Sequence, residues 1–571
     1  MDVLLRDAGA QCWRRFSGLV RTITARTLDD VVPALAEADA AAASGHWVAG
    51  FVSYDAAPAC DRALVARSGS AEPLVHFGVF RRADTATPPA GTASDAATWT
   101  PTLDRSSYDA AIARIKAHIA DGDTYQTNFT FPLTMPAPRD AAALFASLVR
   151  AQPAPYAAFV DTGDIAVCSV SPELFFTLDA GVITSRPMKG TAPRGRFAEE
   201  DAAHASQLAQ SEKNRAENVM IVDMIRNDIG RIADLGTVTA ASLFDVERYP
   251  TVWQMTSMVT GRTRASVTDI FRALFPCASI TGAPKARTTA IIAALEPAPR
   301  GLYTGAIGFL APNGRAQFNV AIRTVVIDRA SGLARYGVGS GVTWDSDARD
   351  EYDECLAKAR VLGNATRDFD LLETLRWTPR EGLVLLDAHL ERLRSSSEYF
   401  GRPFDDGIAR AALERALTPP PDNAQRVRLL VAPDGTARAT TAALTPLPTP
   451  VRLAVATTPV SSQDVFLFHK TTRRQVYDDA RAAHPDVDDV LLWNERGELT
   501  ETTIANVIIE LDGRRYTPPV TSGLLNGTLR AALVASGDVA ERVLMREDLA
   551  RAAKITLINS VRGEYDATIA L

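Results

Sequence analysis

The sequence predicts a multidomain α+β protein. Its 571 residues are enough for roughly three or four folding units of ~150 residues each. An amphipathic pattern predicts a helix over residues 108–120. Strand-like apolar runs recur at residues 165–170, 305–310 and 321–327. Helical and strand patterns therefore both occur, as an α+β fold requires.

A domain boundary is expected near residue 366. A predicted helix over residues 350–362 is followed by a loop-like segment, and a new pattern begins at Phe369. The expected organisation has three parts, which are an N-terminal segment (residues 1–103), a central catalytic domain (104–366) and a C-terminal domain (367–571).

Composition and charge exclude several classes of protein. The net charge is −7 and the basic residues are dispersed, so neither nucleic acid nor a membrane surface is an expected partner. The five cysteines form no CxxC pair and are expected to be reduced. The histidines lack metal-binding spacing, and no apolar run reaches the ~20 residues of a membrane span. Because charged residues follow Met1 closely, no signal peptide is expected, and the predicted compartment is the cytoplasm.

Two groups of acidic residues are candidate ligand sites. On a predicted helix over residues 214–228, Glu217 shares the apolar face with Met220, Ile221 and Met224. A buried carboxylate needs a partner, which is either Mg²⁺ or an arginine or backbone N–H groups. Further along the chain, one helix face carries Glu351, Glu354 and Lys358. By itself this second group is equally compatible with an ion-pair ladder on the protein surface.

Ordered motifs in the first half resemble those of the chorismate-utilising enzymes. The resemblance runs from about residue 104 to residue 363. The motifs are SPELF (171–175), SRPMKGT (185–191), EKNRAEN (212–218) with the helix that follows it to residue 228, SITGAPK (279–285), GLYTGAIG (301–308), FNVAIRT (318–324) and DSDARDEYDE (345–354). The resemblance implies a chorismate-binding α/β sandwich with large antiparallel sheets.

The same resemblance implies how the substrate is held. Glu217 and Glu354 would bind Mg²⁺, and the ion would bind the ring carboxylate of chorismate. Arg323 and Tyr303 would hold a substrate carboxylate, for which a guanidinium group has suitable geometry.

Further contacts to the substrate are expected from Thr281 and Lys358. A glycine loop at Gly339 and Gly341 would add backbone N–H donors, although a strand bulge explains these two glycines equally well.

Lys189, Glu173 and Gln126 carry the expected chemistry. Lysine at position 189 is typical of family members that form 4-amino-4-deoxychorismate, whereas members that form anthranilate have alanine there. Lys189 would attack C2 of chorismate as a neutral amine, and Glu173 would protonate the departing C4 hydroxyl. Outside this context, Lys189 would be an ordinary turn lysine and Glu173 a strand-end carboxylate.

At position 126, members that add water carry a lysine as base, and glutamine cannot act as one. Ammonia is therefore the expected nucleophile. Because the sequence has no glutaminase motif, the expected ammonia source is a separate glutamine amidotransferase subunit or free ammonium.

The second half resembles the class IV aminotransferases, which are fold-type IV pyridoxal phosphate (PLP) enzymes with an α+β domain. The motifs are DAHLERL (387–393), FHKTTRR (468–474), GELTETTIAN (497–506), GLLNGTLR (523–530) and INSVRG (558–563). The resemblance makes Lys470 the lysine that links to PLP, although the basic cluster around it is also compatible with a solvated surface.

The roles of five further residues follow from this second resemblance. Arg392 would bind the cofactor phosphate, Glu501 would keep the pyridine nitrogen protonated, and Ser560 would add a hydroxyl. The backbone N–H groups of Thr528 and Leu529 would reach the phosphate at a helix start, which is otherwise a common structural feature.

The motifs of the second half do not separate a lyase from an aminotransferase. The fusion favours aminodeoxychorismate lyase, because the first half would make its substrate. The predicted function is bifunctional para-aminobenzoate synthesis in folate biosynthesis. The alternatives are an aminodeoxychorismate or anthranilate synthase fused to an aminotransferase, and a regulatory pseudoenzyme scaffold. A homodimer formed through the PLP domain is also an expectation.

Overall fold

The structure is a computed structural model that describes residues 1–91, 98–362 and 369–570. The chain divides into a first unit, Met1–Pro193 with Ala205–Thr366, and a second unit, Arg194–His204 with Arg367–Leu571. The predicted boundary near residue 366 lies outside the described residues. Both units combine helices with sheets, which confirms the predicted multidomain α+β class.

The first unit is built around one extensive sheet. Its strands are β1 Asp2–Asp7, β2 Cys12–Ala25, β3 Trp47–Val52, β4 Val75–Ala86, β5 Thr100–Pro101, β6 Gln126–Pro136, β7 Ala158–Asp161, β8 Ile165–Ser169, β9 Leu174–Asp179, β10 Val182–Arg186, β11 Met188–Pro193, β12 Thr239–Arg248, β13 Val252–Arg262, β14 Gly282–Ala283, β15 Ala306–Leu310, β16 Ala316–Val320, β17 Thr324–Asp328 and β18 Leu333–Val342.

Helices flank this sheet. They are α1 Leu28–Ala43, α2 Ala57–Cys60, α3 Arg105–Ala120, α4 Ala141–Ala151, α5 Ala198–Gln210, α6 Glu212–Gly230, α7 Val267–Leu274, α8 Lys285–Leu295 and α9 Ala348–Lys358, with short 3₁₀ segments at Tyr54–Ala56, Ala278–Ile280 and Ala359–Leu362. The division between the units falls inside α5, which begins in the second unit and ends in the first.

Within the described residues, all strand pairings of the first unit are antiparallel. The strands pair in the order β6, β18, β17, β8, β7, β1, β2, β4, β3, β15, β16, β9, β10, β13, with β5 and β14 beside β6 and with β11 and β12 beside β13. This arrangement agrees with the large antiparallel sheets expected from the sequence.

Apolar packing explains why the sheet forms a layered domain. One cluster consists almost entirely of strand residues, including Phe16, Phe51 and Phe309, and lies between sheet faces. A second cluster packs α1, α6 and α7 on the sheet, and a third packs α3, α4 and α9. Burial of these apolar side chains provides the main favourable contribution to folding.

Three sequence predictions near the site need correction. The strand predicted over residues 321–327 is β17, which begins at Thr324, because Arg323 has a positive φ of 50° that interrupts an extended strand. The helix predicted over residues 350–362 is α9, which continues as the 3₁₀ segment Ala359–Leu362. Gly339 and Gly341 lie in β18 and pair regularly with β6, so they form neither a loop nor a bulge.

The second unit contains two sheets. Its strands are β19 Leu371–Thr378, β20 Gly382–Leu383, β21 Gln425–Val431, β22 Ala437–Ala443, β23 Val451–Val455, β24 Asp489–Trp493, β25 Leu499–Thr502, β26 Asn506–Leu511, β27 Arg514–Thr517, β28 Ala540–Glu541, β29 Lys554–Asn559 and β30 Gly563–Ile569. Its helices are α10 Leu386–Phe400, α11 Asp406–Ala416, α12 Gln475–Ala482 and α13 Thr528–Ser536, with 3₁₀ segments at Val465–Leu467, Val520–Ser522 and Arg546–Arg551.

The two sheets of this unit differ in topology. The four-stranded sheet has the order β20-β19-β21-β22 and packs against α10 and α11. The eight-stranded mixed sheet has the order β25-β24-β23-β30-β29-β26-β27-β28, and pairing of β25 with β26 closes six strands into a barrel-like ring. Among the described helices of the whole chain, none has the length and apolar character needed to cross a membrane.

Candidate active sites

Lys189 is held at an irregularity in β11. The register with β13 shifts between Met188 and Thr191, and Gly190 has a φ of 101°, which favours glycine. The side-chain amide of Asn218 donates a hydrogen bond of 3.1 Å to the Lys189 carbonyl. Its oxygen accepts a 2.5 Å hydrogen bond from the Ser257 hydroxyl. Helix α6 and strand β13 therefore fix the backbone of Lys189 together.

The Lys189 amine lies between a carboxylate and a glycine. Its Nζ atom is 3.3 Å from Oε2 of Glu217, which is on α6. A Cβ atom at position 341 would overlap with Nζ of Lys189 and would lie 2.9 Å from Nε2 of Gln126. The absence of a side chain at Gly341 therefore provides the space that the Lys189 amine occupies.

We predict that Gly341→Ala lowers kcat/KM for chorismate by about a hundredfold, because displacing a reacting group by ~1 Å has this effect. Steady-state kinetics of chorismate consumption would measure the loss. Gly230→Ala is the matched control, since a Cβ atom there meets no heavy atom within 4 Å. A full rate for Gly341→Ala would contradict the placement of Lys189.

The side-chain amide of Gln126 is the clearest indication of a polar binding site. Gln126 is fully buried, and neither its Nε2 nor its Oε1 atom has a hydrogen-bond partner. An unpaired buried amide is costly, which indicates a ligand group that completes the hydrogen bonding.

Glu173 has the properties of a proton donor. It precedes β9, is 3% exposed, and its Oε1 accepts a 2.6 Å hydrogen bond from the Ser279 hydroxyl. Burial raises the pKa of Glu173 to about 7, although hydrogen bonds from Ser279 and the Met188 backbone and the charge of Lys189 oppose this shift. A carboxyl group with this pKa is substantially protonated near neutral pH.

Glu354 and Lys358 form an ion pair on α9 beside the same site. Lys358 Nζ is 2.6 Å from Oε1 of Glu354 and donates a 2.8 Å hydrogen bond to the Gly339 carbonyl. The charge of Lys358 lowers the pKa of Glu354 against the effect of burial, and Lys189 and Arg323 lower it further. Burial disfavours the charged form of Lys358, but Glu354 outweighs this effect, so the pKa of Lys358 is raised.

The other residues predicted to contact the substrate differ in whether their polar groups already bond to the protein. Arg323 uses Nη1 to donate a 2.6 Å hydrogen bond to the Lys358 carbonyl, which orients the guanidinium group. The Tyr303 ring packs on Gly337, where a Cβ atom would overlap with it, and burial raises the pKa of Tyr303. Thr281 is fully buried, and its hydroxyl donates to the Cys277 and Ala278 carbonyls, so it serves the local turn.

The donor set beside Lys189 is compatible with Mg²⁺. Glu217 is 3.3 Å from the Lys189 amine, and the charge of Lys189 also lowers the pKa of Glu354. One cationic group therefore interacts with both carboxylates. In the described part of the chain, no three acidic, histidine or cysteine side chains form a metal cluster. Mg²⁺ often uses only one or two protein carboxylates and takes further oxygens from substrate and water.

In the second unit, Lys470 lies beside β19. Its carbonyl accepts a 2.9 Å hydrogen bond from the Leu372 backbone N–H. The pKa of Lys470 is lowered to about 8, chiefly by burial. The charge of Arg392 acts in the same direction, and the charges of Glu373 and Glu501 oppose it. A substantial fraction of neutral amine is therefore present near neutral pH, as covalent attachment to a carbonyl group requires.

His469, the residue that precedes Lys470, is fixed in place by contacts of its own ring. Its ring lies 4.3 Å from the Tyr399 ring, and Nδ1 is 3.0 Å from the Ser396 hydroxyl. Nε2 is 3.2 Å from the carbonyl of Arg196, which is part of the second unit. Burial lowers the pKa of His469 to about 4, so the imidazole is neutral and acts in positioning.

Glu501 is a buried carboxylate that forms no ion pair with the described residues, although the charges of Lys470 and Arg474 act on its pKa. Oε1 accepts hydrogen bonds from the Tyr477 hydroxyl (2.7 Å) and the Leu525 backbone (3.1 Å), and Oε2 accepts one from Asn506 (3.2 Å). Burial raises the pKa of Glu501 to about 7 despite these bonds. A protonated pyridine ring would supply the missing positive charge, so the residues present fit PLP.

Arg392 has a carboxylate partner that the sequence did not predict. Its Nε and Nη2 atoms form hydrogen bonds of 2.8 and 2.7 Å with Glu373, which also accepts from His389. Arg392 and His389 hold the pKa of Glu373 well below its ordinary value, although burial opposes this. Nη1 donates to the Asn526 carbonyl, close to the start of α13.

The other predicted phosphate contacts lie near this arginine. Thr528 and Leu529 begin α13, and the Thr528 hydroxyl is 3.3 Å from Nε2 of His389. Backbone N–H groups at a helix start favour an anion. Ser560 lies 3.5 Å from the Thr374 carbonyl, which is at the limit of a hydrogen bond, so its hydroxyl is weakly committed.

Sequence reasoning missed several supporting residues. Asn218 and Ser279 in the first unit, and Glu373, Tyr477 and Asn506 in the second, orient the predicted groups. Asn218 and Asn506 are part of the motifs described above. Each is a polar residue next to an apolar segment, which is the sequence feature that could have indicated their supporting role.

These features define a two-unit chain with two lysine-centred candidate active sites, each containing a buried carboxyl group of raised pKa. Residues 2–364 match the family model of the chorismate binding enzymes, and the chain belongs to this family. Residues 370–568 match the model of the class IV amino-transferases. Both resemblances are confirmed, and the first extends to the N-terminal segment, well before the motifs.

Individual relatives agree with the first match. An aminodeoxychorismate synthase from Streptomyces griseus is 45% identical over 262 residues, which cover 45% of this chain and 36% of the relative. Anthranilate synthase component 1 1 from Haloarcula marismortui is 40% identical over 274 residues, which cover 48% of this chain and 56% of the relative. The matches thus span about a third to about half of these relatives.

A solved structure supports the fold of the first unit. Anthranilate synthase component I from Streptococcus pneumoniae TIGR4 has a TM-score of 0.54 at 23% identity, and the match covers 64% of this chain and 92% of that structure. At this identity the comparison supports the fold and not the reaction.

Proposed function

We propose that the chain makes para-aminobenzoate in two steps, as part of folate biosynthesis. The first unit converts chorismate and ammonia to 4-amino-4-deoxychorismate, and the second splits this product to para-aminobenzoate and pyruvate. The observation that carries the proposal is the Lys189 amine beside Glu217 and Gln126, made possible by Gly341. Lysine at this position separates the proposed reaction from anthranilate formation.

In the first step, the Lys189 amine forms a bond to C2 of chorismate while the bond from C4 to its hydroxyl breaks. Glu173 gives its proton to the departing hydroxyl, which leaves as water. Ammonia then adds at C4 and the bond between C2 and Lys189 breaks, which restores the lysine. The added ammonia loses one proton, which returns to Glu173 and restores the carboxyl group. Mg²⁺, held by Glu217 and Glu354, would neutralise the ring carboxylate of chorismate.

Arg323 and Tyr303 support binding of the second carboxylate of chorismate, and Lys358 holds Glu354 in place. Gln126 gives the amide hydrogen bonds that its buried, unpaired atoms can make. It has no basic group to activate water, which favours ammonia as the nucleophile. We propose that a glutamine amidotransferase subunit supplies this ammonia.

The pKa of Glu173 predicts the pH dependence of the first step. Since burial raises this pKa to about 7, the proton-donating form predominates below that pH and is lost above it. We expect the rate to fall by about tenfold per pH unit on the alkaline side. Rapid-mixing measurements of chorismate consumption between pH 5.5 and 9 would test this.

Two variants separate Glu173 from other titrating groups. Ser279→Ala removes a hydrogen bond that lowers the pKa of Glu173, so the descending limb should move to higher pH. Glu173→Gln should remove that limb and lower the rate by about 10² to 10⁴. An unchanged limb in both variants would exclude Glu173 as the proton donor.

In the second step, Lys470 takes the proton from C4 of 4-amino-4-deoxychorismate, the bond between C3 and the ether oxygen breaks, and the ring becomes aromatic. The departing enolpyruvate takes up the proton from Lys470 and becomes pyruvate. Arg392, Thr528, Leu529 and Ser560 would hold PLP, which would supply an electron sink for this elimination. Glu501 would favour the protonated form of the pyridine nitrogen. The pKa of about 8 for Lys470 supports its role in proton transfer.

Product analysis tests the whole proposal. The purified chain is supplied with chorismate, Mg²⁺, ammonium and PLP, and products are identified by mass spectrometry. Para-aminobenzoate with equimolar pyruvate is the expected result. Accumulation of 4-amino-4-deoxychorismate would indicate that the second unit is an aminotransferase and not a lyase. Formation of anthranilate would contradict the assignment of Lys189.

Two further proposals concern the state of the protein in the cell. The five cysteines, of which four are buried, are unpaired, which supports a reducing compartment such as the cytoplasm. A homodimer formed through the PLP domain is proposed from the resemblance to class IV aminotransferases, and light scattering would test it.

A further inference from the structure

The first unit contains a cavity that shares no residue with the proposed chorismate site. Its volume is about 290 Å³, and α6, α7, β14 and the start of α8 form its walls. Such a volume accepts a molecule with a single six-membered ring and a few substituents. The proposed two-step reaction leaves this cavity without a role.

The charges in the cavity favour an anion. Lys285 and Asp228 form an ion pair of 2.7 Å, and the Lys285 amine also donates to the Leu274 carbonyl. Asp61 is a second carboxylate in the lining, so three cationic side chains face two carboxylates and one net positive charge remains. Arg231 and Arg272 line the same cavity, and neither forms an ion pair with a carboxylate in the described ranges. Guanidinium groups bind carboxylates through two parallel hydrogen bonds, so these two arginines form a suitable carboxylate site.

The remaining walls favour an apolar body. Met224, Leu64 and Phe275 line the cavity, together with Ala273 and Pro284. Thioether, aliphatic and aromatic side chains pack well against a flat ring. Seven of the thirteen lining residues are apolar, so about half of the wall can pack against a ring while the rest presents polar and charged groups.

We propose that this cavity binds a small aromatic carboxylate, with the carboxylate at Arg231 and Arg272 and the ring against Met224. The ligand would contact the same elements that carry the chorismate site. Met224 and Glu217 both belong to α6, and β14 pairs with β6 at Ala283 and Gln126. The cavity is therefore an effector site, because a ligand that stabilises one arrangement of α6 and β14 acts on Glu217 and Gln126.

Para-aminobenzoate is the chosen probe, since it is the product under the proposed function and has the required chemistry. Isothermal calorimetry on the full chain in saturating chorismate, without Mg²⁺ or ammonium, measures binding with no turnover. Arg231→Gln and Arg272→Gln should each weaken the affinity by about tenfold, which is the usual effect of losing one charge-assisted hydrogen bond. Aniline, which lacks the carboxylate, should not bind.

Arg264→Gln is the matched control. Arg264 lines an adjoining cavity of about 400 Å³ that shares Arg231 and Arg272 with the first, but it does not line the first. The affinity of Arg264→Gln should equal that of the unchanged chain. Absence of binding, or equal affinity in the Arg231 and Arg272 variants, would overturn the proposal. Because binding is measured without turnover, a failure to form para-aminobenzoate would contradict the proposed function and leave this test intact.

Discussion

Replacing Lys470 with alanine is expected to abolish para-aminobenzoate formation while leaving the conversion of chorismate unaffected. The variant loses the amine that, under the proposed function, attaches to the cofactor and moves the proton from C4. Loss of such a group lowers the rate by on the order of a thousandfold or more. Liquid chromatography should therefore show accumulation of 4-amino-4-deoxychorismate and no pyruvate.

The spectrum of the purified variant gives an independent measurement. The unchanged chain should carry a cofactor absorbance band that borohydride removes, with a label on Lys470, and Lys470→Ala should lack it. Lys554→Ala is the matched control, because this lysine is half-exposed in the second unit and pairs with Asp566. Full para-aminobenzoate production by Lys470→Ala would exclude the second half of the proposal.

The motifs predicted which residues would meet, because each motif is a short segment with a fixed local geometry. Lys189 and Glu217 were expected in one site from separate motifs, and their side chains are 3.3 Å apart. Arg392, Lys470 and Glu501 come from motifs far apart in sequence, yet each of the other two contributes to the pKa of Lys470. The roles of these residues remain predictions that the proposed experiments test.

Supporting contacts were not predictable in the same way. Ser279 reaches Glu173, and Ser257 reaches Asn218, only because distant strands and turns are brought together. Composition and periodicity carry no information about such pairs. The same holds for Glu373, which lies on β19 and whose partner Arg392 is on α10.

The glycines show how a correct residue can be assigned for the wrong reason. Gly341 was expected to lie either in a loop with backbone N–H donors or in a strand bulge, and it lies in a regular strand pair. Its importance is the absence of a side chain where Lys189 needs room. A sequence shows that glycine is present but does not show whether conformation or space requires it.

The second prediction of large effect concerns Lys189. Lys189→Ala should lower the rate of 4-amino-4-deoxychorismate formation by on the order of a thousandfold, because the covalent route to C2 is lost. Lys213→Ala on α6 is the control, since that lysine is exposed and outside the proposed site. When 4-amino-4-deoxychorismate is supplied directly, both variants should still form para-aminobenzoate, because the second unit has its own lysine.

The kinetic constants of Lys189→Ala and their dependence on ammonium distinguish three possible roles of Lys189. Removing Lys189 also leaves Glu217 without its direct cationic partner, so a loss of chorismate binding and a loss of chemistry must be distinguished. A raised KM with unchanged kcat would assign Lys189 to binding, whereas a lowered kcat at saturating chorismate would assign it to the covalent step. A rate that returns in proportion to added ammonium would mean that ammonia attacks C4 directly, with Lys189 acting only as a positive charge beside the substrate.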